Sequence, residues 1–248
     1  MKLALADPSY LKESISIISD LVNEAHFKIS NNGIELVAMD PANVAMVIFK
    51  LLPSCFSEYQ VSKDVSIAIN LANLKQILRR AKTNDMVTLE ITQDNKLQIQ
   101  FKSNSIRTFS LPLIEMEEKE QRIPPLEFPV SVIMESARLT DAIEDVDIVA
   151  DAVQLSVDNG SFVVSAEGDL SNAHIELKED QQTKIVNDAL EKVKSKYSIE
   201  YLKKMIAGAK LAPQAEIRFS RDYPLRLDYK VVDRLLLSFI LAPRVEND

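Results

Sequence analysis

The sequence predicts an α+β chain built as two tandem, similar domains. Three observations predict it: a helix–strands–helix–strands order that occurs twice, matching segments that lie 128 residues apart, and a charged, proline-bearing stretch between the two copies. The 248 residues suffice for two domains of ordinary size.

Leu11, Ile15, Ile18 and Val22 recur at helical spacing and predict a first amphipathic helix. Phe27-Lys28-Ile29-Ser30, then Asn31-Asn32-Gly33, then Ile34-Glu35-Leu36-Val37 read as a hairpin with an Asn-Gly turn. Residues 44–49 form an apolar run suited to a buried strand, and residues 65–70 a shorter strand that leads into a helix over 71–82. Three strand-like runs follow at 86–92, 96–101 and 106–113, separated by turn residues.

The same text returns. Leu74-Lys75-Gln76-Ile77-Leu78-Arg79-Arg80-Ala81-Lys82 resembles Leu202-Lys203-Lys204-Met205-Ile206-Ala207-Gly208-Ala209-Lys210, an offset of 128 (74 to 202). That offset also carries Val87-Thr88-Leu89-Glu90-Ile91 onto Ala215-Glu216-Ile217-Arg218-Phe219, Leu97-Gln98-Ile99 onto Leu225-Arg226-Leu227, and Leu11 and Ile15 onto Leu139 and Ile143. Asn32-Gly33 meets Asn159-Gly160 at 127, which implies one small gap. Agreement over most of the chain marks an internal duplication. Between the copies, a charge run from Glu115 to Arg122 gives way to Ile123-Pro124-Pro125-Leu126; paired prolines continue neither a helix nor a central strand. The expected organisation is therefore a first domain over 1–114, an extended connector over 115–128 and a second domain over 129–248.

Composition narrows the chemistry. With 46% hydrophobic and 27% charged residues the chain has ordinary globular composition. It contains no apolar run near the ~20 residues of a membrane span, and its N-terminus lacks a secretory apolar core. Cys55 is the single cysteine, which excludes an intrachain disulfide and points to a reducing, intracellular setting. His26 and His174 form no metal-ligand spacing, and the four glycines form no phosphate-cradling loop. The sequence thus predicts no catalytic residue, no metal and no cofactor, and its many acids read as solvated surface.

The net charge of −8 argues against an ordinary basic DNA-binding domain, yet the bases are not scattered. Leu74, Ile77, Leu78 and Ala81 make the apolar stripe of the 71–82 helix, while Lys75, Arg79 and Lys82 share the opposite face with Arg80 beside them. In the second copy Leu202, Met205, Ile206 and Ala209 form the stripe, and Lys203, Lys204 and Lys210 lie off it. No acid interrupts either segment. A recurring basic face without aromatics or an Asn/Gln array predicts phosphate contact without base readout.

Four further segments carry a family resemblance. Leu36-Val37-Ala38-Met39-Asp40-Pro41-Ala42-Asn43-Val44-Ala45-Met46-Val47, Ile123-Pro124, Tyr223-Pro224-Leu225 and the ending Leu241-Ala242-Pro243-Arg244-Val245 together resemble proliferating cell nuclear antigen (PCNA). Arg107-Thr108-Phe109-Ser110-Leu111-Pro112-Leu113-Ile114 and the Leu-Ala-Pro-Arg-Val ending bring the archaeal members nearest. The resemblance implies the DNA-clamp (processivity) fold: two similar domains per subunit and three subunits in a ring, with sheets outside and helices lining the hole.

The resemblance implies further roles. Lys12 joins Lys75, Arg79, Arg80, Lys82, Lys203, Lys204 and Lys210 towards duplex DNA. A groove for short partner peptides would use Met39, Asn43, Val44, Met46, Ile123, Pro124, Phe128, Pro224, Leu241, Ala242 and Pro243. Subunits would join through edge strands at 107–113, using Arg107, Thr108, Phe109, Ser110 and Leu111, and at 172–178, using His174, Ile175, Glu176 and Leu177. Two departures stand out: Asn43 occupies a position where eukaryotic members commonly carry His, and Asp141, Glu144 and Asp145 stand where they place bases. Glu13 and Asp20 dilute the first helix's basic face.

The expectation is a sliding clamp without catalytic activity. Its partners would be duplex DNA, two further clamp subunits (identical or paralogous), a clamp loader, and DNA polymerase, flap endonuclease, DNA ligase and repair enzymes. Its home would be the cytoplasm of an archaeal cell, at the nucleoid and away from membrane. One rival is a clamp-like checkpoint or scaffold subunit with an altered groove, against which Ile123-Pro124 and Leu241-Ala242-Pro243 speak. The other is a carboxylate-based hydrolase, which would need paired acids in a cleft.

Overall fold

The computed structural model describes residues 1–117, 121–189 and 191–244. Connector residues 118–120 and Val245 of the tail motif lie outside the described residues. The chain divides into two compact units, the first Met1–Pro41, Val47–Ile123 and Val231–Leu237, the second Ala42–Met46, Pro124–Lys230 and the residues from Ser238 on.

In the first part of the chain the order is β1 (Lys2–Leu5), α1 (Ser9–Ile18), β2 (Glu24–Ser30), β3 (Gly33–Met39), β4 (Ala45–Leu51), a short 3-10 turn, β5 (Glu58–Gln60), β6 (Val65–Asn70), α2 (Leu71–Leu78), β7 (Met86–Ile91), β8 (Lys96–Lys102) and β9 (Ile106–Pro112). One sheet has the order β5-β1-β7-β8-β9, and a second runs β4-β3-β2-β6. Side chains from both sheets meet α1 and α2 around a cavity of about 30 Å³, where Leu3 and Leu97 face Phe27, Ile67, Leu11 and Leu74. Alternation makes this possible: β2 buries Ala25, Phe27 and Ile29 and turns Glu24 and Lys28 outwards.

The second part repeats the plan: β10 (Val130–Glu135), α3 (Ser136–Asp147), β11 (Ala152–Asp158), β12 (Ser161–Glu167), β13 (Asn172–Lys178), β14 (Lys184–Asn187), β15 (Val193–Ser198), α4 (Ile199–Met205) with a 3-10 turn over Ile206–Lys210, β16 (Gln214–Phe219), β17 (Leu225–Val231) and β18 (Leu235–Leu241). Its sheets have the orders β13-β12-β11-β15 and β14-β10-β16-β17-β18. The α3 stripe of Leu139, Ala142, Ile143 and Val146 is fully or nearly fully buried.

Several elements differ from the sequence expectation. The helix expected over 71–82 begins on time, because Asn70 caps it by accepting from the Asn73 N–H at 3.0 Å, but ends at Leu78. Beyond Leu78 the turn tightens, with the Arg80 N–H on the Ile77 carbonyl and the Ala81 N–H on the Leu78 carbonyl. The second copy is α-helical only to Met205 and then winds as a 3-10 turn. There Gly208 lies so close to the Tyr229 ring that a Cβ would collide with it. Ile77 and Ala209, expected in the stripes, are only half-buried.

The Asn-Gly hairpin is met as drawn in the second copy, where Asn159 and Gly160 both have positive φ between Asp158 and Ser161. In the first copy Asn31-Asn32 make the turn, and Gly33 opens β3 at φ 131 with no room for a Cβ beside the Leu51 carbonyl. The two hairpins therefore align at 128 throughout, Glu24–Ser30 with Ala152–Asp158 and Gly33–Met39 with Ser161–Glu167, and the small gap expected from matching Asn32-Gly33 to Asn159-Gly160 is absent. The strands β1, β5 and β14 carried no signal in the sequence reading, because each is only three or four residues long.

Candidate nucleic-acid and partner interfaces

The cations of the first unit fall into two groups. Lys75 reaches from α2 to the end of α1, donating to the Ser16 carbonyl at 3.2 Å and pairing with Asp20 at 2.7 Å. Lys12, on α1, answers in the other direction, donating to the Ala81 carbonyl at 3.3 Å. These two lysines fasten α1 and α2 together. Arg79, Arg80 and Lys82 are exposed, and their side chains have no partner among the described residues.

A group that sequence reading missed holds this basic turn in place. Asp85 is fully buried, accepts the Lys82 backbone N–H at 2.7 Å, and pairs with Arg107 of β9. Arg107 also donates to the Arg80 carbonyl at 3.0 Å and lies over the Phe101 ring. The Lys82 N–H, followed by Ser103 and Arg107, holds the Asp85 carboxyl below its ordinary value against the desolvation of burial. Sequence alone had no way to single out Asp85, whose partner Arg107 stands 22 residues away.

The corresponding lysines of the second unit are mostly engaged. Lys203 pairs with Asp147 at 2.6 Å. Lys204 pairs with Glu200 at 3.1 Å and lies over the Tyr201 ring at 5.3 Å. Lys210 is exposed without a side-chain partner among the described residues. On α3, Asp141, Glu144 and Asp145 are exposed. Of the eight predicted DNA-facing bases, Arg79, Arg80, Lys82 and Lys210 thus carry charge not matched among the described residues.

Both strands singled out for subunit contact are outermost. Among the described residues β9 pairs only with β8, and β13 only with β12. Each therefore presents a row of backbone N–H and C=O groups without a strand partner. Thr108 and Ser110 are exposed, Phe109 is half-buried and Leu111 is buried; on β13, His174 and Glu176 are exposed, while Ile175 and Leu177 are half-buried.

The expected groove residues divide by burial. Leu241 is fully buried and Met46 nearly so, which makes both part of the packing around their strands. In the second unit Asn43 and Pro124 are exposed, and Val44, Phe128, Pro224, Ala242 and Pro243 are half-buried. The Ala242 N–H donates to the Val44 carbonyl at 2.9 Å, and Phe128 packs edge-on against Tyr223 at 6.0 Å beneath the Arg218 guanidinium. In the first unit Met39 is half-buried and Ile123 is 44% exposed. Asn43 has φ 57, a left-handed conformation that asparagine tolerates better than most residues.

Among the described residues, no cluster of three or more His, Cys, Asp or Glu side chains could hold a metal, and no helix is long and apolar enough to cross a membrane.

Comparison with known proteins covers the whole plan. The pattern of the proliferating cell nuclear antigen N-terminal domain matches residues 1–121, and that of its C-terminal domain residues 122–244. A DNA polymerase sliding clamp of Nanoarchaeum equitans is 36% identical over 247 residues, covering 98% of this chain and 99% of the relative. One from Thermococcus onnurineus is 37% identical and covers 94% of each. Among solved structures, PCNA from Thermococcus kodakaraensis superposes with a TM-score of 0.91 at 28% identity, over 98% of this chain and 99% of the other.

Proposed function

The chain belongs to the proliferating cell nuclear antigen family, and on that premise we propose that it is a DNA polymerase sliding clamp. In this reading three subunits close a ring around duplex DNA and act by topology, without catalysis. A closed ring cannot leave the duplex sideways, so an enzyme bound to it stays on its template. Arg79, Arg80, Lys82 and Lys210 supply a weak phosphate attraction that reads no sequence and therefore permits sliding.

The observation that carries the proposal is that both strands assigned to subunit contact, β9 in one unit and β13 in the other, are outermost in their sheets among the described residues. A chain with two different open edges must either be capped, grow into a filament or close on its neighbours. Short motifs of polymerase, flap endonuclease, ligase and repair enzymes, and the clamp loader, would dock on the accessible members of the groove set. In the second unit these are Asn43, Val44, Pro124, Phe128, Pro224, Ala242 and Pro243. The proposed setting is the cytoplasm, at the nucleoid.

The test is retention on DNA. Loaded onto a nicked circular plasmid by a clamp loader, the protein should stay bound through gel filtration in high salt. Linearising the plasmid should release it. Equal retention on circular and linear DNA, or none on either with a competent loader, would exclude the topological mechanism.

A further inference from the structure

We propose that Asp228 and Arg218 are a positioning pair for the partner groove of the second unit: the buried carboxylate of Asp228 holds the Arg218 guanidinium against the Phe128 ring, and that contact sets the ring's place in the groove. This rests on the sliding-clamp reading, which assigns Phe128 to the groove, and deepens it by naming what holds that wall of the site.

Phe128 needs such support because its own backbone supplies little. Residues 121–128 form no helix or strand, and among the described residues no backbone–backbone hydrogen bond holds them. The chain is tied down at the next residue, where the Pro129 carbonyl accepts from the Asp188 N–H at 2.8 Å. The direction of the Phe128 ring is therefore set by side chains. Tyr223 meets it edge-on at 6.0 Å, and the Tyr223 carbonyl is itself fixed, accepting from the hydroxyl of the buried Tyr197 at 2.7 Å. The Arg218 guanidinium covers the ring at 5.8 Å, within reach of cation–π attraction.

Arg218 does not lie there by default. β16 and β17 carry four charged side chains on one face, with Arg218 directly opposite Arg226 and Glu216 directly opposite Asp228. Like charges in direct opposition repel. Asp228, only 8% exposed, resolves the conflict between the bases. One of its oxygens accepts from Arg218; the other accepts from the Arg226 Nε at 2.9 Å and from the buried Ser238 hydroxyl. Glu216 accepts instead from the Ser131 hydroxyl at 2.9 Å. The Arg218 Nε, 3.5 Å from Glu216, is buried and makes no hydrogen bond among the described residues. A buried donor without an acceptor is costly, so Asp228 and the ring, rather than Glu216, decide where this side chain lies.

Without the Asp228 charge, two guanidinium groups would face each other across the strands. Arg218 would swing away from Arg226 and free the ring to turn. Ordering the ring again would then oppose the binding of every partner peptide.

The test combines affinity with a spectroscopic reporter. The chain contains no tryptophan, so Phe128→Trp places a single indole in the groove. Calorimetry uses a tryptophan-free peptide carrying the docking motif of a partner polymerase. Arg218→Met and Asp228→Asn should each bind it about five- to tenfold more weakly than the parent. Adding Arg226→Gln to Asp228→Asn removes the facing charge and should recover at least half of that loss on a logarithmic scale. In the Phe128→Trp background, before any peptide is added, Asp228→Asn should raise acrylamide quenching of the indole, and Arg226→Gln should lower it again. A role in packing alone would not be repaired by a second substitution in the same network. Parent-like affinity of Arg218→Met, a half-exposed position whose variant should fold, would overturn the proposal. So would a double variant no better than Asp228→Asn, or quenching that Asp228→Asn leaves unchanged. A parent that binds no such peptide, while the indole still responds to Asp228→Asn, would overturn the groove reading and leave the hold of Asp228 on Arg218 and the ring standing.

Discussion

The turn after α2 and the turn after α4 come from one repeated stretch, yet they present different surfaces. In the first, Arg79, Arg80 and Lys82 are exposed around a turn held by Asp85 and Arg107. In the second, the matching positions hold Ala207, Gly208 and Lys210, and Gly208 is packed against the Tyr229 ring. Arg80 and Gly208 occupy the same place in the repeat. One copy uses that place for charge and the other for close packing. The earlier lysines differ as well: Lys75 joins two helices, while Lys203 is neutralised by an acid on α3. Of the bases in this stretch only Lys75 with Lys203 and Lys82 with Lys210 recur in both copies, and their neighbours decide which retain an unmatched charge.

The sharpest test of the packing side is Gly208→Ala. The new methyl meets a buried aromatic ring, so the variant should lose about 1–3 kcal/mol of stability, visible as a lowered Tm. Arg80→Ala, at the same repeat position but exposed, should stay within about 0.5 kcal/mol as a monomer. Equal melting of the two would erase the distinction.

The charge side is tested by Arg79→Glu against Lys203→Glu. Loader-dependent stimulation of a polymerase should fall about tenfold for Arg79→Glu, roughly 1.4 kcal/mol, with a shallower salt dependence. Lys203→Glu should change it by less than about twofold, since that lysine's charge is already matched by Asp147. The reverse order would mean that the ion pairs seen here open on DNA.

A smaller effect should appear with pH. The Asp85 carboxyl is held below its ordinary value, so its ionised form contributes stability that is present above the unfolded-state value of about 4 and is lost as pH falls through the folded one. As pH falls below about 4 the parent should therefore lose more Tm than Asp85→Asn does, while above it the two should keep a constant difference. Parallel curves for the two proteins would remove Asp85 from the account of how the basic turn is held.

The smallest effect belongs to Lys204. Its pair with Glu200 is an exposed contact one helical turn apart, so Glu200→Gln should cost no more than about 0.5 kcal/mol in urea titration. A loss above 1 kcal/mol would show that this pair does more than decorate the helix surface.

The duplication, the α+β class and the apolar stripes were legible in the amino-acid order, because periodicity and repetition are local properties of the text. Leu11, Ile15 and Ile18, and likewise Leu202, Met205 and Ile206, are buried as their spacing required. The hairpin at Asn159-Gly160 was readable for the same reason: two positive φ angles in a row select those residues. Short strands were not readable, since Lys2–Leu5 and Glu58–Gln60 become strands only by pairing with each other and with β7.

What the tertiary structure alone decided is the state of each charge. Lys75 meets Asp20 across 55 positions, Lys203 meets Asp147 across 56, and Arg107 meets a buried Asp85 across 22. A linear pattern can place a base on the polar face of a helix, but the electrostatic energy of that base depends on distances of a few ångströms to groups far away in the chain. The fold brings those groups together, and so it decides which bases are spent holding helices and which remain to act on something else.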